Sequence, residues 1–204
     1  MTNENTLERP RAAKSAARRQ HLLDTARNLF MERGFHQTGV AQIAAASGIA
    51  VGQIYRDFAN KEAIISAICE TEMTAWLDEA HLTAAVAAND RRAIHAWIER
   101  VSFDEPEPED RRMMCELLAE IARNPAMTQM NMKCDTRLRT SLEAALRSLA
   151  PQSSRERRST VMDFIVASSW GMVALHELSP MSDHAALRDR LATLLRQELA
   201  ALEE

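Results

Sequence analysis

Cysteine, glycine, proline and aromatic residues are all scarce in this 204-residue chain. Its three cysteines, Cys69, Cys115 and Cys134, are odd in number, widely spaced and form no C-x-x-C pair. Neither a disulfide framework nor a zinc site is therefore indicated. Only five glycines and six prolines interrupt the chain, and no stretch alternates with period two. With 46% apolar residues but only 4% aromatic ones, the sequence predicts an all-α fold.

Signals for export, membrane insertion and catalysis are also lacking. The N-terminus is polar and charged, which predicts no cleavable signal, and we find no apolar run of about 18 residues for a membrane span. We therefore expect a cytoplasmic protein. The six histidines show no H-E-x-x-H spacing, and the chain has no nucleophile motif and no Gly-rich phosphate loop. The sequence predicts no enzyme, no metal site and no cofactor.

The net charge of −4 is unevenly distributed along the chain. Residues 1–66 carry nine Lys and Arg against six Asp and Glu, a net of +3, so the remaining residues carry −7. A basic end on an acidic remainder is typical of a protein that contacts nucleic acid with one part only. An ordinary uneven surface has the same appearance, so charge alone leaves both interpretations open.

The segment Thr38–Glu62 has the outline of a helix-turn-helix, with the sequence TGVAQIAAASGIAVGQIYRDFANKE. Thr38 is a candidate N-cap for a helix over residues 40–47. Gly48 supplies the left-handed conformation that ends a helix without a steric penalty. A second helix over residues 50–57 would then be placed to enter the DNA major groove.

The pattern of the second helix divides its residues between core and groove. Ile54 and Phe58, four positions apart, are expected to face inward. Gly52 allows close approach to a phosphate backbone. The Gln53 amide is the most capable base reader, because glutamine can pair bidentately with adenine. The outward candidates also include Val51 for a thymine methyl, Tyr55, and Arg56 for a phosphate or guanine.

A longer run of residues resembles the DNA-binding domain of the TetR family of bacterial transcriptional regulators. It covers roughly 50 residues, namely Arg19-Gln20, Leu23, Ala26, Leu29-Phe30, Gly34-Phe35, Thr38, Ile43-Ala44, Gly48, Gly52, Ile54-Tyr55, Phe58 and Lys61-Glu62. The resemblance implies an N-terminal three-helix DNA-binding domain followed by a helical domain for effector binding and dimerisation. An ordinary three-helix packing motif is the alternative.

The resemblance also implies which residues contact phosphates, and where this chain departs from the family. Thr38, Tyr55 and Lys61 are the implied phosphate contacts. Where the family commonly has Ser or Thr as the cap of the recognition helix, this chain has Ala50, which lacks the capping oxygen. Where a His or Tyr often touches a phosphate, Asp57 would repel one.

Composition and helical periodicity divide the chain into three parts. Residues 1–14 are polar, basic and without periodicity, and are interpreted as a flexible arm, either simply disordered or contacting DNA. Residues 15–62 are the helix-turn-helix domain and residues 63–204 the helical body. A helix beginning at Asn60 joins the two without a glycine or proline, which offers a rigid route for coupling.

The body is rich in methionine, which lines adaptable apolar sites. For this family the resemblance implies an effector cavity among the middle helices, whose ligand separates the two recognition helices. The candidate pocket residues are Trp76, Trp97, Met114, Cys115, Leu118, Met130, Cys134, Phe164, Ser168 and Met172. For each of them plain core packing is the alternative.

The last two helical patterns, about residues 155–178 and 183–202, carry more apolar surface than one small body needs. The resemblance implies that these helices pair with their copies in a homodimer. The sequence therefore predicts a homodimeric repressor that a small apolar or amphipathic effector releases from a palindromic operator. Two alternatives stay open: a ligand-sensing module with degenerate DNA binding, and a transcriptional activator.

Overall fold

The computed structural model describes residues 5–204, with side chains from Ala13 onward. Every regular element in this range is a helix, which confirms the all-α prediction. The helices are α1 (Asn5–Arg33), α2 (Val40–Ser47), α3 (Val51–Asp57), α4 (Lys61–Leu77), α5 (Glu79–Ala87), α6 (Arg91–Phe103), α7 (Pro108–Ile121), α8 (Pro125–Leu149), α9 (Arg155–Leu178) and α10 (Ala185–Glu203).

The first helix is longer than the sequence pattern predicted. Helix α1 begins at Asn5, so residues 5–14 are helical, and the prediction of an arm without regular structure was wrong for them. The stretch 11–19, RAAKSAARR, consists almost entirely of strong helix formers. Such residues form a helix without the apolar periodicity on which the prediction relied. The rest of the predicted arm, residues 1–4, lies outside the described residues.

The N-terminal helices share one apolar core, here called the head core. It contains buried residues of α1 to α4, among them Phe30, Ile43 and Ile54. Met113 and Leu117 of α7 and Met127 of α8 are buried in the same cluster. The buried residues of the head core are Leu22, Leu23, Ala26, Leu29, Phe30, Phe35, Ile43, Ala44, Ile54, Phe58, Ile64, Ile65, Ala67, Ile68, Met113, Leu117 and Met127. The head core thus crosses the predicted domain boundary after residue 62.

A second cluster, the body core, is formed by α5, α6, α8, α9 and α10 together with the end of α4. Trp97 is at its centre, 2% exposed, and the indole N–H donates to the Leu77 carbonyl at 2.5 Å. Helix α4 ends at Leu77, where Asp78 takes a left-handed conformation and its side chain accepts from the first turn of α5. Because α4 contributes to both cores, it joins them as one continuous helix.

Helix α9 is apolar but poorly covered. An 18-residue window within it reaches a mean hydropathy of 1.2, yet only 28% of that window is buried. By length and composition this helix could cross a membrane, although Asp163 and several polar residues interrupt its apolar sequence. The core helix of a soluble protein can satisfy the same test. From residue 160 onward the exposed residues of α9 are Thr160, Asp163, Ala167, Gly171 and Leu178, the last 80% exposed.

The Trp97 hydrogen bond gives a test of the body core. Trp97→Phe keeps an aromatic ring but reduces its volume in a packed site and removes the shorter of two hydrogen bonds to the Leu77 carbonyl, which also accepts from Arg100 at 3.2 Å. We expect the free energy of unfolding to fall by about 1–3 kcal/mol in denaturant titration. The half-buried Trp76→Phe variant is the control and should lose less. A loss below about 0.5 kcal/mol for Trp97→Phe would contradict a central role for this hydrogen bond.

Candidate nucleic-acid interface and ligand cleft

Short local features set the angle between α2 and α3. Gly39, in an extended conformation, is the N-cap of α2, and its backbone N–H donates to the Gln42 side chain at 2.6 Å. Gly48 ends α2 with φ +68, as predicted. Ala50 occupies the N-cap position of α3 and offers no side-chain hydrogen bond. Helix α3 therefore depends on packing rather than on a cap for its orientation.

Packing turns one face of α3 inward and leaves the other exposed. Ile54 is 0% exposed, within the head core. Val51 and Tyr55 are 41% and 53% exposed, unusual values for large apolar and aromatic side chains. A Cβ added at Gly52 would meet no atom within 4 Å, so the surface beside this backbone is open. Arg56 is also exposed and Gln53 is half-buried, so all the predicted readers of α3 lie away from its buried Ile54 side.

Asp57, which stands where the family often has His or Tyr, is both hydrogen-bonded and ion-paired. Its carboxylate accepts from the Gln53 side-chain amide at 3.2 and 3.1 Å and lies 3.6 Å from the Arg18 guanidinium of α1. Arg56 in turn donates to the Gln53 carbonyl oxygen. The four side chains form one hydrogen-bonded and ion-paired chain on the surface. The Asp57 charge is therefore partly balanced by Arg18.

Thr38 is not on this surface. It is 0% exposed, and its hydroxyl donates to the Gly34 and Leu29 carbonyls at 2.9 and 3.2 Å. The N-cap role predicted for it belongs to Gly39. The prediction that the Thr38 side chain contacts a phosphate is therefore corrected: its hydroxyl fastens the end of α1 to the start of α2.

Lys61 also makes an internal contact. Its ammonium donates to the Phe35 carbonyl at 2.6 Å and lies 4.1 Å from the Phe35 ring centroid. Asn60 caps α4 as predicted, accepting from the Ala63 N–H at 2.8 Å. An ammonium group has three N–H donors, so the Phe35 contact leaves others for a phosphate. Phosphate contact by Lys61 remains a prediction.

Helix α7 holds the same turn from the other side. Glu116 accepts from the Phe35 N–H at 2.8 Å, and a Cβ at Gly34 would lie 2.9 Å from both carboxylate oxygens. We call these contacts of Phe35 with Lys61 and Glu116 the Phe35 clasp. Beside it, His36 lies 2.7 Å from the buried carboxylate of Glu120. Glu116 and Glu120 were not predicted from the sequence, because no local pattern distinguishes them from the other acidic residues of α7.

Arg27 adds a second link between head and body. Its guanidinium donates to Glu72 of α4 and Asp110 of α7, both at 2.5 Å. Burial acts against the charged form, but the two carboxylates outweigh it and raise the pKa of Arg27. This residue therefore stays charged and ties α1 to two body helices.

A cleft of about 390 Å³ separates α4 from α8. Its apolar wall includes Met73 and Met130, while Glu70 and Lys133 bring opposite charges to opposite sides. The full lining is Ala59, Asn60, Glu62, Ala63, Ser66, Glu70, Met73, Ala126, Gln129, Met130, Lys133, Cys134 and Arg137. Its chemistry is amphipathic, and its first lining residue, Ala59, lies two residues after α3 ends.

Two of the ten predicted pocket residues, Met130 and Cys134, line this cleft. The structure does not bring the other eight into it. Trp97 is in the body core, against which Trp76 and Phe164 pack, and Met172 is buried elsewhere. The rest are distributed over α7 and α9: Leu118 is 49% exposed, while Met114, Cys115 and Ser168 are half-buried. Periodicity finds buried faces, but it does not say which of them border a space.

The thiols near this region are poor nucleophiles. Burial, with smaller contributions from Glu72 and Cys134, raises the pKa of Cys69 to about 12. Burial is also the main cause of the raised pKa of Cys115 and of Cys134. Because the thiolate is the reactive form, these side chains are protonated and unreactive near neutral pH.

Comparison with known proteins points to one family. Residues 22–68 match the family model described as bacterial regulatory proteins, tetR family. The chain is 27% identical over 150 residues to the HTH-type transcriptional regulator BetI of Rhizobium meliloti, covering 72% of this chain and 73% of that one. Over 53 residues, 26% of each chain, it is 45% identical to the HTH-type transcriptional repressor KstR2 of Rhodococcus jostii.

A solved structure has the same fold along most of the chain. It is the transcriptional regulator FadR from Bacillus subtilis in complex with stearoyl-CoA, with 19% identity and a TM-score of 0.67. The match covers 86% of this chain and 96% of that one. The matched segment 22–68 contains the whole helix-turn-helix and the Phe35 turn. Residues 22–68 are therefore similar to the DNA-binding segment of the tetR family of bacterial regulatory proteins, and the rest of the chain shares the fold of a solved transcriptional regulator.

Proposed function

We propose that this regulator is a cytoplasmic homodimeric repressor that binds a palindromic operator through α3 and leaves it when a small amphipathic effector binds. The observation that carries the proposal is the outward face of α3. Val51, Gly52, Gln53, Tyr55 and Arg56 share that face on a helix fixed from behind by Ile54. A transcriptional activator would need the same DNA contacts as a repressor.

The chemistry of this face suits a major groove. An exposed valine can contact a thymine methyl, and a glutamine or arginine can read base edges. The open surface at Gly52 permits the backbone to approach a phosphate closely. The partial balancing of Asp57 by Arg18 weakens the case for a degenerate DNA-binding head, since that carboxylate does not stand alone.

The outward faces of α9 and α10 support a dimer. On α9 the small residues Ala167 and Gly171 lie on the exposed side, where they permit close helix approach. Leu178 and Leu187 are 80% and 42% exposed on α9 and α10. Exposed large apolar side chains that lie together are typical of a protein interface. A dimer would place two recognition helices on two half-sites about one helical turn apart.

The cleft between α4 and α8 is the proposed effector site. Its volume of about 390 Å³ falls in the range of small-molecule sites, and its lining combines methionines with a few charges. The fold shared with a regulator bound to stearoyl-CoA supports an effector-binding body. Asn60 and Ala63 in its wall belong to the first turn of α4, next to Lys61 of the Phe35 clasp. A ligand there would press directly on the helix that positions α3.

The operator proposal is tested first by selecting genomic DNA fragments with the purified protein. The affinity of a Gly52→Ala variant for the best fragment is then measured. Alanine should stabilise α3 by about 0.5–1 kcal/mol, because glycine is a poor helix residue. If the backbone approaches a phosphate there, operator affinity should nevertheless fall about tenfold or more, which is ~1.4 kcal/mol.

Gly171→Ala on α9 is the matched control for that experiment, because its added Cβ also meets no atom within 4 Å. It should leave operator affinity unchanged. Recovery of no enriched fragment by the unaltered protein would contradict DNA binding, and undiminished affinity of Gly52→Ala would contradict the proposed approach of α3.

The dimer proposal predicts that a charge on the outward face of α9 separates the subunits. Gly171→Glu places a carboxylate on a face that would otherwise pack against its copy, where an unpaired buried charge is costly. We expect a dimer mass for the unaltered protein and a monomer mass for Gly171→Glu in sedimentation equilibrium. Gly52→Ala should remain dimeric. A dimeric Gly171→Glu protein would place the interface elsewhere.

The effector proposal predicts that filling the cleft separates DNA binding from the response to ligand. Metabolites are first screened for release of the selected fragment. Ser66→Trp, a change within the cleft wall, should bind the fragment as the unaltered protein does but need at least about tenfold more of the releasing compound. Ala144→Trp, on an exposed position of α8, is the control. Equal sensitivity of all three proteins would rule out this cleft.

A further inference from the structure

The base reader on α3 is held at both ends of its amide. The Gln53 nitrogen donates to both carboxylate oxygens of Asp57, at 3.2 and 3.1 Å, one helical turn further on. The Gln53 oxygen accepts from the Arg56 guanidinium. Asp57 is itself paired with Arg18 of α1 at 3.6 Å. The side chain predicted to be the main reader is therefore not a free rotor in the unbound protein.

The two neighbours impose a direction on the amide. An ionised carboxylate only accepts hydrogen bonds, and a guanidinium only donates them. Asp57 can therefore pair only with the nitrogen of Gln53, and Arg56 only with its oxygen. If the amide rotated by 180°, its oxygen would face a carboxylate and its N–H groups a guanidinium. Both contacts would then be repulsive, so one orientation is fixed.

The hydrogen-bonding groups of Gln53 that remain free match the major-groove edge of adenine. With one N–H shared between the two Asp57 oxygens and one oxygen lone pair used by Arg56, Gln53 has a second N–H donor and a second lone pair for a base. Adenine presents an acceptor at N7 and a donor at N6 in the major groove, a pattern that a glutamine pairs with bidentately. A freely rotating amide could instead offer its donor and acceptor in either order and so fit other arrangements.

We infer that Asp57 is a positioning residue for base specificity: by fixing the direction of the Gln53 amide, it makes α3 select adenine at one position of each half-site. The inference rests on the proposed function, since it requires α3 in the major groove. It gives a role to the residue that departs from the family's usual phosphate contact.

Arg18 makes a carboxylate tolerable at this place. The Asp57 side chain is 25% exposed and would otherwise face the phosphates of the DNA backbone with an unbalanced charge. The Arg18 guanidinium offsets that charge from α1 without contacting the Gln53 amide. Its neighbour Arg19 lies 5.0 Å from the Phe58 ring centroid, so the same stretch of α1 packs on the end of α3.

Selection from a randomised operator library tests this assignment, because it reports the preference at every base position separately. The proteins compared are the unaltered chain, Gln53→Ala, Asp57→Asn and Asp57→Glu, with thermal unfolding measured for each. The unaltered protein should prefer adenine about tenfold at one position per half-site, and Gln53→Ala should abolish that preference. Asp57→Asn should reduce it to below about threefold, since asparagine can donate as well as accept.

Asp57→Glu, which retains an acceptor-only group, should keep most of the preference. Preferences at all other positions should be unchanged in both Asp57 variants, whereas a merely structural role would weaken binding to every sequence alike. An adenine preference that persists in Asp57→Asn overturns the inference, as does a preference that is independent of Gln53. Failure of the unaltered protein to enrich any sequence would overturn the proposed function itself, and this inference with it.

Discussion

The structure depends above all on how the turn at Phe35 is held. The ring of Phe35 is buried in the head core, while its carbonyl accepts from Lys61 of α4 and its N–H donates to Glu116 of α7. The two backbone polar groups of Phe35 thus contact a residue of α4 on one side and a residue of α7 on the other. Because a buried backbone polar group is costly to leave unpaired, the three elements are bound to move together.

Helix α4 connects the contact at Phe35 with the proposed effector cleft. Three residues separate it from the recognition helix. It contributes to the head core along its first half and ends at Leu77, whose carbonyl accepts from Trp97 in the body core. The proposed effector cleft runs along α4 from the first turn to Met73. A ligand there would act on a rigid element whose first turn carries Lys61, so no long chain of intermediates is needed between ligand and DNA.

Much of the site followed from the sequence and some of it did not. The all-α fold, the left-handed Gly48, the Asn60 cap, the uncapped Ala50 and the inward Ile54 were predicted correctly, because each follows from local conformation or from residues three and four apart. Thr38 was misassigned, since its local pattern as a cap does not reveal that the hydroxyl is turned to the carbonyls of Gly34 and Leu29. The helical residues 5–14 were missed because an alanine-rich helix needs no apolar face.

The sequence by itself determined most of the helices, the helix-turn-helix motif and the side chains available on α3, because these depend on short-range propensity and on a motif of fixed spacing. Only the tertiary structure decided which distant residues meet. It placed Glu116 on the Phe35 turn, Arg18 beside Asp57, and Met130 and Cys134, but not Trp97, along the cleft. These pairings span tens of residues, and the packing of whole helices fixes them, so no local pattern carries them.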